Sequence, residues 1–316
     1  MTTRYKIKAV DDYLYDQEEL IEFLKSTDGD IVLWTKGEGF SLYRCGLIDI
    51  LTELNMLDCV SIETPNYVEH LPIKYTQEPA RISHWFYSCR AKFDQGLPNR
   101  LNGEHYRLGC FIGRKNIDRW GILYWLTNRH LALVSSMNSN MKYTVNDEIT
   151  NWFPNQMVLD SWIQENHLTS LDQADVNDQY LNNNFLNTQL NLLKYYDQFD
   201  VELVAETFVR GDTFFPTEKT VRPIIGKKPM LVYGPKNYLK HLKELGFKTW
   251  DTIWDESYDQ YEGIERWNKI KPIIDQIHFW GDWEWNPTGK NGDHRLQQAQ
   301  EIANYNFDHF LNITTP

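Results

Sequence analysis

Short apolar runs alternate with amphipathic segments along this chain, and the alternation restricts its fold more than any other feature. Near the amino terminus, the amphipathic segment DQEELIEFLKS is followed by the apolar run DIVLW, a glycine loop and a second amphipathic segment. Apolar runs this short fit buried strands, whereas the longer segments carry their apolar residues at helical spacing. We therefore predict an α/β fold with a mostly parallel sheet and helices on both of its faces.

The alternation is interrupted once, at residues 97–106, where Pro, Gly and Asn cluster in LPNRLNGEHY. It then restarts with the strand-like YRLGCFI and continues to the last amphipathic segment, RLQQAQEIANYNFDHFL. We therefore predict two Rossmann-like lobes with a cleft between them. The first lobe comprises residues 1–100 and the second residues 101–290, and a C-terminal helix lies within residues 291–316.

Composition limits the classes of function. The formal net charge of −12 over 316 residues argues against a general nucleic-acid binder, which needs a basic face. Cys45, Cys59, Cys89 and Cys110 have neither zinc-site nor disulfide-framework spacing, so we expect reduced thiols. The sequence has no apolar run long enough for a membrane span and no signal-peptide pattern. These features predict a cytoplasmic protein without a membrane partner.

The first chemically rich loop is FIGRKNIDRWGIL, where a predicted strand turns at a glycine into a helix. Arg114, Lys115 and Arg119 place three cations around the start of that helix, and Asp118 is a reasonable N-cap. Free backbone N–H groups and several cations at one helix N-terminus favour an anion, and phosphate fits best. The alternative is a solvated basic turn on the surface.

A second such loop follows the predicted strand VELVAET, which ends at Glu206 and Thr207. Thr217 can cap the next helix, and Glu218 suits the positive end of the helix dipole, whereas Lys219 does not. A violated local rule of this kind is typical of a functional site. We interpret Glu218 as a ligand for ribose hydroxyls and Lys219 as a phosphate ligand; the alternative is an ordinary surface lysine.

Residues 199–250 resemble the donor-nucleotide half of α-1,3-fucosyltransferases, which are GT-B glycosyltransferases. In that family a strand leads into Phe-Glu-Asn, then an aromatic residue, Thr-Glu-Lys and an apolar helix. Glu206 stands at the family's glutamate, Thr207 at its asparagine and Phe215 at its aromatic residue, and TEK at 217–219 stands at its Thr-Glu-Lys. The resemblance implies that these residues bind the donor nucleotide.

The upstream segment LGCFIGRKNIDRWGILYWL resembles the strand, loop and helix that open the family's donor domain. Arg119 falls there on an arginine that binds the diphosphate. The sequence departs from the family at Ala205, at Arg114 and Lys115 in a loop that is usually polar, and at an added Pro223 that should shorten or kink its helix. The first hundred residues show no match.

A further resemblance involves the segment LKHLKELGFKTWDTIWDESYD, which is similar to a group of phage and marine-virus proteins. That similarity adds the host cytosol, for a virus-encoded protein, as a candidate location.

The resemblance implies a metal-independent, inverting glycosyltransferase that uses a nucleotide diphosphate sugar as co-substrate, with a GDP-sugar favoured, and no other cofactor. Cationic side chains and helix dipoles would stabilise the leaving diphosphate. The acceptor is open: a glycan, a small molecule or modified DNA. Two alternatives stand beside this hypothesis: a non-catalytic protein that binds a nucleotide or phosphate ligand, and a phage-type glycosyltransferase that acts on modified DNA.

An inverting transfer also needs a general base on the acceptor side. We choose Glu38 in TKGEGFS, because it directly follows the most strand-like run of the first lobe. Glu63 in SIETPNY is the second choice. His84 in ISHWFY is a weaker one, since a lone histidine in an aromatic strand is more often a core residue.

Overall fold

The structure is a computed structural model, and it describes most of the chain. The described residues are 2–7, 9–11, 14–35, 46–64, 74–77, 105–112, 117–129, 132–136, 149–165, 192–206, 209–210, 214–279 and 295–313. Within them, the fold is mixed α/β and contains two separate parallel sheets, which confirms the predicted α/β class.

The first parallel sheet, together with the helices beside it, forms what we call the first unit. Its elements in chain order are β1 (Thr3–Ile7), β2 (Ala9–Asp11), β3 (Leu14–Tyr15), α1 (Gln17–Ser26), β4 (Ile31–Thr35), α2 (Leu47–Glu53), β5 (Val60–Thr64) and β6 (Lys74–Gln77). The sheet runs β1-β4-β5-β6 with every pair parallel, while β2 and β3 form a small antiparallel pair. Each later strand therefore adds to the same side of the one before it.

Local sequence explains both helices of the first unit. The Asp16 carboxylate accepts a hydrogen bond from the backbone N–H of Glu19 at 3.0 Å and caps α1, whose Leu20 and Leu24 are buried. Gly46 precedes α2 with φ 72°, a left-handed conformation that glycine adopts at little cost. The two helices therefore begin where short-range chemistry places them.

The second parallel sheet and the helices that follow it form the second unit. Its elements are β7 (Tyr106–Ile112), α3 (Ile117–Thr127), β8 (Ala132–Ser136), α4 (Ile149–Trp152), α5 (Gln156–Glu165), a 3₁₀ helix (Leu192–Gln198), β9 (Phe199–Ala205), α6 (Glu218–Gly226), β10 (Met230–Tyr233), α7 (Tyr238–Glu244), a second 3₁₀ helix (Ser257–Gln260), α8 (Gly263–Phe279) and α9 (Arg295–Ile313). Pro223 lies inside α6, and the helix continues beyond it to Gly226.

The strand order of the second sheet places a potential binding site. The order is β10-β9-β7-β8, and all neighbours are parallel. The chain passes from β7 outward to β8 on one side and later returns to β9 on the other side of β7. The carboxyl ends of β7 and β9 thus flank a topological switch point, where open α/β sheets bind their ligands.

Two buried apolar clusters correspond to the two sheets. One is built from residues of the second unit, and the other from residues of the first unit together with Phe215. The C-terminal helix α9 joins the cluster of the second unit through Ala299, Ala303 and Phe310. In the same helix, the Asn306 amide accepts from Lys248 N at 2.8 Å and donates to Lys248 O at 2.8 Å. The helix predicted within residues 291–316 therefore packs on the second unit.

Candidate functional site

Five buried polar residues gather at the carboxyl end of β9, beside the switch point. We call them the strand-end cluster: Arg119, Glu206, Thr217, Glu218 and Lys219. Each is at most 8% exposed. They come from three places in the chain, namely the first turn of α3, the end of β9 and the start of α6.

Arg119 connects the two strands that flank the switch point. It lies in the first turn of α3, which follows β7, and its Nη2 donates to the backbone carbonyl oxygens of Ala205 at 3.2 Å and Glu206 at 2.7 Å. These are carbonyls at the end of β9. The guanidinium group is therefore held at the carboxyl end of β9. The sequence predicts that this arginine binds an anion.

The neighbouring Asp118 does not cap α3 as the sequence predicts. The helix begins at Ile117, so Asp118 lies inside its first turn. Its carboxylate accepts from Trp152 Nε1 at 3.2 Å and from Arg210 Nη2 at 3.1 Å. Asp118 thus ties the segment after β9 to the start of α3, and the capping prediction is wrong because those long-range donors determine where its carboxylate lies.

Thr217 caps α6, as predicted. Its Oγ1 accepts from the backbone N–H of Lys219 at 3.3 Å and donates to Glu206 Oε2 at 2.7 Å. One hydroxyl thereby satisfies a free amide of the first helical turn and joins that turn to the end of β9.

Glu206 holds the start of α6 against β9. Its carboxylate accepts from Thr217 N at 3.1 Å, from Thr220 Oγ1 at 2.6 Å and from the Tyr238 hydroxyl at 2.9 Å. Burial opposes ionisation, but the charge of Lys219 and the hydrogen bonds from Thr220 and Thr217 together hold the pKa of Glu206 below its ordinary value. Glu206 is therefore a buried carboxylate that several neutral donors and one cation keep ionised.

The ammonium group of Lys219 lies over the start of its own helix. Its Nζ donates to Glu218 Oε1 at 2.8 Å and to Thr217 Oγ1 at 3.2 Å. The side chains of Lys219 and Glu218 are only 10% and 2% exposed. A surface lysine would extend into solvent, so this geometry argues against the alternative of an ordinary surface residue.

Both predicted cations approach one residue, Glu206. Arg119 bonds its backbone carbonyl, and Lys219 reaches its carboxylate through Thr217. Phe215 is 5% exposed and belongs to the apolar cluster of the first unit.

Three further residues of the predicted donor site, Arg114, Lys115 and Thr207, lie outside the described residues.

Of the three candidate general bases, the structure describes Glu63. Glu38 and His84 lie outside the described residues. Glu63 lies in β5, where its carboxylate forms an ion pair with Arg4 of β1, and its side chain is 24% exposed. The charge of Glu63 is therefore paired within the first sheet, and nothing in this position requires a catalytic role.

Sequence reasoning missed the polar residues that hold the cluster in place. Thr220 and Tyr238 bind Glu206, while Glu202, Arg222 and Tyr196 form a second buried network along the same strand and helix. A signal was present in VELVAE: two acids four residues apart in a strand lie on one face, here inside an otherwise apolar run.

Across the part of the chain that the structure describes, no group of three or more His, Cys, Asp or Glu side chains is arranged to hold a metal ion. None of the helices found there combines the length and apolar character of a membrane span. Comparison with known proteins finds no protein-family model, no curated protein and no solved structure that matches the chain.

Proposed function

We propose that this chain is a metal-independent glycosyltransferase of the GT-B type, which transfers a sugar from a nucleoside diphosphate sugar to an acceptor. The donor binds at the strand-end cluster, and the acceptor enters a cleft between the two units. The observation that carries the proposal is that Arg119 bonds the Glu206 carbonyl while Lys219 reaches the Glu206 carboxylate through Thr217, both at the end of β9. Two cations from separate strand-to-helix connections converge beside a topological switch point, where nucleotides bind in open α/β sheets.

Each residue has a specific role in this proposal. Lys219 binds the diphosphate, and Arg119 adds positive charge from the other strand-to-helix connection. Together they stabilise the negative charge that develops on the leaving diphosphate. Glu218 binds the ribose hydroxyls, and Arg114 and Lys115 are assigned to the donor site from their positions in the sequence. The resemblance to α-1,3-fucosyltransferases favours a GDP-sugar and an inverting reaction.

The general base that we propose is Glu38. In the sequence it stands three positions after Thr35, the last residue of β4, in a connection of the kind that carries ligand-binding residues in parallel sheets. Glu63 is a weaker candidate for the general base than Glu38, because its carboxylate is already paired with Arg4.

Replacement of Lys219 by alanine tests the donor site. The loss of a charged hydrogen bond should weaken nucleoside diphosphate binding by about 1.5–3 kcal/mol, measured by calorimetric titration. The matched control is Lys243→Ala, because Lys243 also forms a 2.8 Å ion pair with an acid but lies on the exposed side of α7. The control should bind as the unaltered protein does, and equal affinities for all three proteins would exclude Lys219 from the site.

A non-catalytic nucleotide-binding protein is the second candidate, and one observation favours it. Both carboxylates of the strand-end cluster are already engaged, Glu206 by hydroxyls and Glu218 by Lys219. Incubation with a panel of nucleotide sugars and candidate acceptors separates the two functions. A transferase releases free nucleoside diphosphate and a glycosylated product, whereas a binding protein retains the nucleotide sugar unchanged.

A further inference from the structure

A groove lies between the C-terminal helix α9 and the segment that follows α7. Its volume is about 460 Å³. One side is lined by Gln298, Glu301 and Ile302 of α9, and the other by Lys243 of α7 and by residues within 247–252. These lining residues include no member of the strand-end cluster, so the groove is separate from the proposed donor site.

An exposed aromatic residue continues the α9 side of the groove. Four residues lie at helical spacing on one face of α9: Gln298, Glu301, Ile302 and Tyr305. Lys248, which lines the groove, places its Nζ 4.1 Å from the centroid of the Tyr305 ring. The hydroxyl of Tyr305 donates to the carbonyl oxygen of Gly246 at 3.2 Å, yet the residue is 40% exposed. The ring is therefore held in place beside the groove with much of its surface facing solvent.

The charged groups of the groove balance one another. Lys243 and Lys248 stand against Asp251 and Glu301. The Nζ of Lys243 pairs with Asp251 Oδ2 at 2.8 Å, and Glu301 accepts from Gln297 Nε2 at 2.9 Å. A nucleic acid is a polyanion and needs a basic surface, so this balance argues against DNA as the occupant.

The other lining groups suit a ligand that is rich in hydroxyls. Phe247 and Ile302 supply apolar surface, while Thr252 and Gln298 supply an exposed hydroxyl and an exposed amide. A hydroxyl of a sugar both donates and accepts, so it can bond to the ammonium, carboxylate, amide and hydroxyl groups alike. The apolar C–H face of a sugar ring can also pack on the ring of Tyr305.

We propose that this groove is a glycan-binding site that holds the acceptor away from the donor site. The acceptor role rests on the proposed function, whereas saccharide binding itself does not. Of the three acceptors that the sequence leaves open, namely a glycan, a small molecule and modified DNA, the groove favours a neutral glycan. A glycan of several sugar units can bind here with one part while another part reacts, which a single small molecule cannot do.

Calorimetric titration of the full chain with neutral trisaccharides tests the site. The probes are maltotriose, cellotriose, mannotriose and triacetylchitotriose, without added nucleotide. At least one of them should bind with a Kd of about 1 mM or tighter. Tyr305→Ala and Gln298→Ala should each weaken that binding about fivefold or more, because the first removes the aromatic surface and the second removes the amide.

Two variants on the same helix serve as matched controls. Tyr305→Phe keeps the ring and removes the hydroxyl that bonds Gly246, so it should bind the trisaccharide as the unaltered protein does. Asn304→Ala changes an exposed side chain that does not line the groove, and it should also leave the affinity unchanged. The inference is wrong if no trisaccharide binds, or if Tyr305→Ala and Gln298→Ala bind it as tightly as the unaltered protein.

A single-stranded oligonucleotide is the competing probe. It should not displace the bound trisaccharide, because the groove has no excess of positive charge. Displacement that Gln298→Ala abolishes would assign the groove to a polyanion and overturn the inference.

A parallel titration with GDP and UDP separates the two proposals. If a nucleoside diphosphate binds and no trisaccharide does, the inference about the groove fails and the proposed donor site survives. If a trisaccharide binds in the groove and neither nucleotide binds, the proposed function fails, and the groove remains a saccharide site without the acceptor role.

Discussion

The two units use the same parallel-sheet architecture but bury different kinds of residue. In the first unit, β5 alternates buried and half-buried positions, whereas every residue of β9 in the second unit is buried. Among the described residues, Thr64 is the buried polar side chain of the first unit, and all the others belong to residues 118–306. The second unit therefore buries charged side chains, which the described part of the first unit does not.

The buried charges of the second unit hold one helix against one strand. Glu206 binds the start of α6, and Glu202 on the same face of β9 pairs with Arg222 in the middle of α6. Buried ion pairs rarely add more stability than apolar residues of the same size would, since both charges lose their hydration. We interpret these pairs as a means of fixing the position of α6, and with it the position of Lys219. The first unit shows no such clamp in its described part.

Breaking the Arg222–Glu202 pair should give the largest effect on stability. Arg222→Leu leaves Glu202, which is 0% exposed, as a buried carboxylate without its cation. We expect a loss of about 3–5 kcal/mol in the free energy of unfolding, measured by chemical denaturation. Adding Glu202→Gln should restore part of this loss, because the buried charge then disappears. A loss below about 1 kcal/mol would mean that the pair resembles the exposed Arg4–Glu63 pair of the first unit.

The pH dependence of stability should also come from the second unit. Burial raises the pKa of Glu256 to about 7, against the opposing hydrogen bonds from Thr249 and from the backbone N–H of Trp250. The folded protein thus holds this proton more tightly than the unfolded chain does, whose carboxyl titrates near 4.5. The contribution of Glu256 to stability is full below about pH 4.5 and is lost as the pH rises to about 7.

Glu256→Gln isolates this effect. The difference in unfolding free energy between the variant and the unaltered protein should change by up to about 3 kcal/mol between pH 4.5 and pH 7.5, because each pKa unit corresponds to about 1.4 kcal/mol. Denaturation curves at a series of pH values measure it. A difference that stays constant over this range would show that Glu256 titrates as a solvated acid.

The smallest effect is expected for the ion pair of the first unit. Arg4 and Glu63 have side chains 59% and 24% exposed, so solvent screens their attraction. Arg4→Leu should change the free energy of unfolding by about 1 kcal/mol or less in the same denaturation assay used for Arg222→Leu. A cost comparable to that of Arg222→Leu would remove the distinction between the two units.

Local signals account for the parts of the fold that the sequence predicts well. The helix predicted from DQEELIEFLKS is α1, Gln17–Ser26, and the one predicted from TEKTVRPII is α6, Glu218–Gly226. Spacing of apolar residues and capping by Asp16 and Thr217 act within one or two turns, so they can be read from neighbouring residues.

Strands with weak local signals were missed. β1 and β6 were not predicted, and β1 is an edge strand whose Arg4 and Lys6 are exposed, which hides its apolar face in the sequence. The aromatic strand predicted at ISHWFY, which contains His84, lies outside the described residues.

The sequence by itself determined the α/β class, the limits of several helices, and the presence of capping and charged residues in the connections after β7 and β9. Only the tertiary structure decided which of those residues meet. Arg119 and Glu206 are 87 positions apart, and their contact depends on β9 returning to pair with β7. Helical and capping patterns arise from neighbouring residues, whereas the partners of a buried charge are selected by strand order and by the cost of leaving that charge unpaired.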